Sequence, residues 1–307
     1  MNDLLSDSPI SLRQKVASYY ELTKPKVVMT MVFTAWTGMF LARPGTFPLT
    51  AFIFGTLGIT FLAGSAAAVN HVVDRYIDAK MYRTKNRPLP SGDISPSNCF
   101  VFAFILGLLG LIILIAFVNV LTAILTLLSS VGYAFIYTMY LKRATPQNIV
   151  IGGIAGATPP LLGWTAVTNS IDPYALVLVL IIFTWTPPHF WALAIARKED
   201  YAKAEIPMLP VTHGSDFTRL QIICYTVLLC LITLLPFLMG ENGVMYLTGA
   251  IFLGGMFLYH ALMMWHTKSD AWAMNTFVYS IVYLLLLFSF LLIDRYLPLL
   301  LARIPVT

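Results

Sequence analysis

The chain has 307 residues, of which 58% are hydrophobic and only 11% charged, with a mean hydropathy of +0.79. Globular proteins carry about 25% charged residues, so this balance excludes a water-soluble fold of such length. The net charge of +5 comes with no nucleic-acid-reading motif and points to basic loops at a membrane surface, while Cys99, Cys224 and Cys230 form neither a disulfide framework nor a CxxC pair.

Residues 1–26 hold several charges and no apolar core of a cleaved signal peptide, and read as a short surface segment. Beyond them, runs long enough to cross about 30 Å of hydrocarbon as helices fall at 27–43, 48–69, 98–117, 120–141, 149–168, 174–195, 218–238, 244–264 and 274–294. The first is short and contains Thr30, Thr34 and Thr37; the fifth is interrupted by Gly152, Gly153, Gly156 and Pro159-Pro160. Backbone groups in lipid must pair within their own segment, and the alternation of a membrane barrel is absent. The expected fold is therefore all-α: a polytopic membrane protein with nine transmembrane helices in one domain, 27–297, and a short tail, 298–307.

A nine-span arrangement sorts the 19 Lys and Arg residues so that only Arg43, Arg295 and Arg303 fall on one side. Positive loops stay inside. The sorting predicts a multi-pass protein of the cell inner membrane with a cytoplasmic N-terminus and a periplasmic C-terminus.

Two segments on the basic side, 70–97 and 196–219, are long and polar for this chain. In the first, Asn70, Asp74 and Asp78 recur every four residues, so they share one face if the second span continues as a helix. Two carboxylates one turn apart repel unless a cation lies between them. Magnesium would resolve the conflict, since it takes one or two carboxylates and completes its shell with water and phosphate oxygens. Arg83 and Arg87 follow at once and can fork onto the same phosphates. The competing reading is a solvated helix end whose aspartates pair with the neighbouring Arg75 and Lys80.

The second segment holds Lys198, Asp200, Lys203 and Glu205. The acids would suit a second metal and the lysines phosphate oxygens, and a solvated charged loop accounts for the same mixture. Tyr137, Tyr140, Lys142 and Arg143 end the fourth span on that side, either as further phosphate contacts or as an interfacial aromatic belt with basic anchors. His189 stands apart, in an apolar helix after Pro187-Pro188. A neutral imidazole there either packs or ligates iron. His213, close to the charged loop, is a second candidate.

These residues resemble the UbiA-type intramembrane prenyltransferases, the superfamily named after 4-hydroxybenzoate polyprenyltransferase. Its first signature, Asn-x-x-x-Asp-x-x-x-Asp, is met by Asn70, Asp74 and Asp78. The strings from Asn70 to Pro88, Pro187 to Ala194, Asp200-Tyr201, Pro207 to Pro210 and Gly152 to Pro160 are similar to the branch that transfers a farnesyl group to haem. The likeness runs from about Thr23 to the last span.

The resemblance implies a nine-helix bundle around a central cavity open to lipid, capped by two acidic cytoplasmic loops. It implies a reaction in which haem b, farnesyl diphosphate and water become haem O and diphosphate, with Mg2+ at Asn70, Asp74 and Asp78. Arg83, Arg87, Lys142 and Arg143 would assist the diphosphate, Asp200, Lys198 and Lys203 would complete the rim, and His189 would meet the haem. The second signature of the superfamily repeats aspartates four residues apart; this chain has Arg197-Lys198 before a single Asp200, so lysines would replace a second metal. Tyr137, Trp185, Phe190 and Trp191 are aromatic faces able to steady an allylic cation. A haem A synthase or a terminal oxidase assembly factor would be a neighbour in the pathway. A prenyltransferase with another aromatic or tetrapyrrole acceptor, and a secondary transporter with regulatory loops, are the alternatives.

Overall fold

A computed structural model of the protein describes residues 11–301, and among them there are helices and no strands. A surface helix, α1 (Leu12–Leu22), precedes the first span, α2 (Pro25–Ala42). Ser11 and Gln14 form a reciprocal capping box at the start of α1. Lys24 takes a left-handed backbone conformation between the two helices, and Pro25 opens α2. The other spans are α3 (Ala51–Lys80), α4 (Pro96–Phe117), α5 (Val120–Ala144), α6 (Asn148–Thr168), α7 (Pro173–Ala196), α10 (Gly214–Leu238), α11 (Val244–Thr267) and α12 (Asp270–Leu301). Two short helices, α8 (Lys198–Lys203) and α9 (Leu209–Thr212), link α7 to α10. Nine of the described helices are long and apolar enough to cross a membrane.

Several expected boundaries move. The segment 70–97 is not all loop, because α3 continues to Lys80. At 1.5 Å per residue its 30 residues reach about 45 Å, well beyond the hydrocarbon thickness, so its last turns stand at the rim. Residues 214–219 of the other segment already belong to α10, and 298–301 of the expected tail continue α12. Arg303 and the rest of the tail lie outside the described residues, as do residues 1–10.

The middle of the bundle is α6 and α7, whose windows are 67% and 61% buried against 17% for the peripheral α4. The expected interruption of the fifth span is a break at Thr158, between two helical halves, with Pro159 starting the second. Close approach of α2 and α6 depends on two glycines. A Cβ on Gly163 would overlap the carbonyl of Ala35, and one on Gly38 the carbonyl of Pro160. Small residues let membrane helices pack backbone to backbone, where no hydrophobic drive between helices exists. The rim itself is roofed by an apolar cluster in which Met81, just after α3, joins Trp191, Ile206, Met208 and Leu209. The two polar segments are thereby packed over the same end of the bundle.

The opposite end is tied down by Asp294. Its carboxylate accepts hydrogen bonds from the backbone N–H of Gly243 (2.5 Å) and Tyr246 (3.0 Å), which are unsatisfied donors at the start of α11. Two clefts of about 340 and 580 Å³ lie at that end, one lined by Phe40, Leu292 and Tyr296, the other by Asn242, Asp294 and Arg295; neither touches the acidic row.

Candidate active site

Because α3 remains helical to Lys80, Asn70, Asp74 and Asp78 do line one face, and all three are buried at 1–3% exposure. Asn70 Nδ2 donates to Asp74 Oδ2 at 2.8 Å, joining the two lower members directly. The cations that neutralise the row come from elsewhere. Lys142 of α5 meets Asp74 Oδ2 at 2.6 Å, and Arg87 meets both oxygens of Asp78 at 2.9 and 2.8 Å. Lys24, at the mouth of α2, donates to Asn70 Oδ1. The local alternative fails here: Arg75 donates to the carbonyl of Val72 and covers the ring of Tyr76, and neither it nor Lys80 pairs with an aspartate.

Lys24, Tyr133 and Thr138 belong to this cluster without any sequence signal that marks them. Lys24 Nζ lies 3.4 Å from Tyr133 Oη, and Asn70 Nδ2 lies 3.2 Å from Thr138 Oγ1. Tyr133, Thr138 and Lys142 share a face only because α5 widens into a π-helix over Gly132–Leu141. Nine residues make two and a half turns of an α-helix, which would place Tyr133 and Lys142 on opposite sides. With i→i+5 bonding and about 4.4 residues per turn, nine residues make two turns and the pair aligns. Tyr137 stacks on Tyr133 with ring centroids 5.6 Å apart and fills the space left by the missing side chain of Gly152.

The remaining candidates fall into two groups. Arg83 is exposed, and Arg143 reaches only the carbonyl of Val73, at 3.3 Å. Among the described residues Lys198, Asp200 and Lys203 make no ion pair, so the second segment adds no carboxylate to the row. Burial raises the phenol pKa of Tyr201, in the same segment, against the opposing pull of the Arg83 and Arg87 guanidiniums. Lys24 is drawn the other way. Burial, and then the Arg87 guanidinium, lower its ammonium to about 8, with Asp74 and Asp78 opposing. His189 is buried in α7 and bonded to Ser280, whereas His213 is exposed and bonded to its neighbour Thr212. Trp191 is 1% exposed and packs in the roof cluster, edge-on to Tyr225; Trp185 and Phe190 contact His189.

The chemistry of the row fits a divalent cation that carries much of its own shell. No three His, Cys, Asp or Glu side chains gather as a metal site among the described residues, yet Asp74 Oδ1 is buried with no hydrogen-bond partner. An unsatisfied buried carboxylate oxygen is costly. Together with Asp78 and the amide oxygen of Asn70, it makes an oxygen set suited to magnesium with water and phosphate oxygens. The surrounding lysines and arginine suit the same polyanion.

The Arg87–Asp78 pair can be tested by itself. Asp78 is 4% exposed and Arg87 19% in their side chains, so Arg87→Met strands a buried carboxylate. Thermal unfolding in detergent should show a loss of about 3 kcal/mol, part of which returns when Asp78→Asn is added. An additive double variant would mean that the two side chains do not depend on each other.

Helices long enough to cross a bilayer, which gather a buried oxygen row and three basic side chains at one end, define an integral membrane protein with a charged polar site at its rim. The chain belongs to the UbiA prenyltransferase family, whose pattern matches residues 31–300. It is 59% identical to a protein of Methylococcus capsulatus named protoheme IX farnesyltransferase, over 92% of this chain and 95% of that one. It is also 59% identical to one of the same name from Legionella pneumophila, over 91% and 95%. Among solved structures it resembles that of a digeranylgeranylglyceryl phosphate synthase in membranes, with a TM-score of 0.77 at 19% identity over 92% of this chain and 99% of the other. A UbiA homolog from Archaeoglobus fulgidus bound to GPP and Mg2+ gives 0.62 at 16% identity over 89% and 99%. The fold is thus that of the family.

Proposed function

We propose that the protein transfers the farnesyl group of farnesyl diphosphate to protohaem IX with the addition of one water, giving haem O and diphosphate. The observation that carries this reading is the buried row of Asn70, Asp74 and Asp78 set against Lys24, Lys142 and Arg87, in a chain 59% identical over nine-tenths of its length to relatives named for that reaction. Family membership favours this over a transporter.

Magnesium held by Asp74, Asp78 and Asn70 would supply positive charge to the departing diphosphate. Lys24, Lys142 and Arg87, which neutralise the row in the protein alone, would turn to the diphosphate oxygens when it enters, with Arg83, Arg143, Lys198 and Lys203 adding charge from the rim. The allylic C–O bond then breaks, leaving a delocalised cation whose quenching by water must be prevented. The roof of Met81, Ile206, Met208 and Leu209 keeps water from that carbon. The Tyr137 ring, held against Gly152, offers a π-face to the cation. Attack by a vinyl carbon forms the new C–C bond and moves the charge beside the porphyrin; one water adds there and loses a proton, which gives the hydroxyl. Asp200 would serve only from a distance.

The distribution of Lys and Arg favours a bacterial inner membrane with this rim at the cytoplasmic face, the N-terminus inside and the C-terminus outside. The domain is 27–297, with 70–97 and 196–219 over the rim.

Detergent-solubilised protein incubated with haem b, farnesyl diphosphate and magnesium should yield haem increased by the mass of a farnesyl group plus a hydroxyl. Chelation of the metal should stop turnover, and added magnesium restore it. Diphosphate release without a modified haem would refute the acceptor and leave the wider prenyltransferase class.

A further inference from the structure

His189 of α7 is held from several directions. Its ring stacks on Trp185, with centroids 4.2 Å apart and 19° between planes, and on Phe277 of α12, at 4.6 Å and 27°. Its Nδ1 lies 2.6 Å from Ser280 Oγ, also on α12. The same residue is gripped a second time, since Trp185 Nε1 donates to the Ser280 carbonyl at 2.8 Å. Stacking sets the plane of the imidazole, and the serine sets its rotation within that plane.

The serine also decides where the proton sits. Ser280 Oγ is 2.6 Å from the carbonyl oxygen of Phe277, a distance at which two oxygens repel unless a proton lies between them. A hydroxyl has one proton to give. With that proton on the Phe277 carbonyl, Ser280 can only accept from His189, so Nδ1 carries the N–H. In a neutral imidazole Nε2 is then a bare lone pair. Among the described residues Nε2 has no hydrogen-bond partner, yet it is not one of the sealed polar atoms of the bundle, as both ring nitrogens of His71 are. A pinned, correctly protonated imidazole with its basic edge unused is the arrangement in which protein histidines ligate metals, the other nitrogen being held by a second hydrogen bond.

We propose that Ser280 is a positioning residue that keeps His189 in the Nδ1–H form, so that Nε2 is an axial ligand to the iron of the haem acceptor. This rests on the acceptor named under the proposed function. Seven residues separate His189 from the end of α7 at Ala196, which puts the ligand about 10 Å inside the rim. The iron is held on the apolar side of the site, while the anionic reactant is held at the surface.

Two measurements on the full-length protein test this. Nitrogen-15 NMR of histidine-labelled protein without haem should find the His189 proton on Nδ1; a proton on Nε2 overturns the proposal. Titration with haem b alone, followed by absorption and resonance Raman spectra, should show an iron–imidazole signature that His189→Ala abolishes and added imidazole restores. Ser280→Ala should weaken haem binding about tenfold, shift the iron–histidine stretch and raise KM for haem more than it lowers kcat. An unchanged spectrum and affinity in either variant overturns the proposal. Wild-type protein that farnesylates haem while His189→Ala keeps the spectrum refutes the ligand alone, whereas wild-type protein that neither binds nor farnesylates haem refutes the acceptor reading beneath it.

Discussion

Asp74→Asn is expected to lower turnover by about a thousandfold while leaving a folded, membrane-inserted protein. The substitution keeps size and shape, and an amide oxygen can still accept from Lys142 at the place where Oδ2 now does. What it removes is the negative charge and the free Oδ1, the one carboxylate oxygen of the row that is buried without a partner. Loss of one preorganised electrostatic group in a desolvated site costs about 10²–10³ in rate, and losing a magnesium ligand adds to that. Asp78→Asn should behave alike, because it leaves Arg87 without its bidentate acceptor. Asp200→Asn should cost much less, since Asp200 makes no ion pair with the row. Product mass spectrometry measures all three, with gel filtration to check the fold. Substantial activity in both Asp74→Asn and Asp78→Asn, or equal losses in all three, would defeat the assignment.

The second large effect is on assembly. Gly163→Ala introduces a single methyl, yet that methyl meets the backbone carbonyl of Ala35, and no rotamer of either residue can relieve the overlap. The helices α2 and α6 must separate, which loosens the packing around Leu162, Ala35 and Met39. Overpacking of this kind costs about 3 kcal/mol, and here more, because backbone is the obstacle. Gly38→Ala meets the Pro160 carbonyl in the same way. Gly255→Ala supplies the control: nothing lies within 4 Å of its added methyl, so the helix should gain slightly, by up to about 1 kcal/mol. Melting temperatures in one detergent compare the three. If Gly163→Ala and Gly255→Ala melt together, the close crossing does not hold the bundle.

Much of the bundle was legible in the chain because bilayer thickness sets helix length and lipid forbids unpaired backbone. Most span ends moved by a few residues, and nine helices long and apolar enough to cross remain among the described residues. The largest shift, at α3, came from polar residues: Asn70 to Lys80 look like a loop by hydropathy and are helix by geometry. A hydropathy boundary marks where lipid ends. It does not mark where the hydrogen-bond ladder ends. The four-residue spacing of Asn70, Asp74 and Asp78 was the better guide to that stretch.

Sequence alone therefore determined the class of fold, the span count and the acidic row, since each follows from local periodicity and the demands of an apolar solvent. Tertiary structure decided which cations answer the row. Lys24 lies 46 positions before Asn70, and Lys142 follows Asp74 by 68, so no local pattern joins them. Tyr133, Thr138 and Lys142 reach one face only through the π-helix of α5, a change of helical pitch that apolar composition leaves open. Ser280, 91 positions beyond His189, becomes its partner only when α12 packs on α7, because a hydrogen bond requires atoms within about 3 Å and chain order does not set that distance.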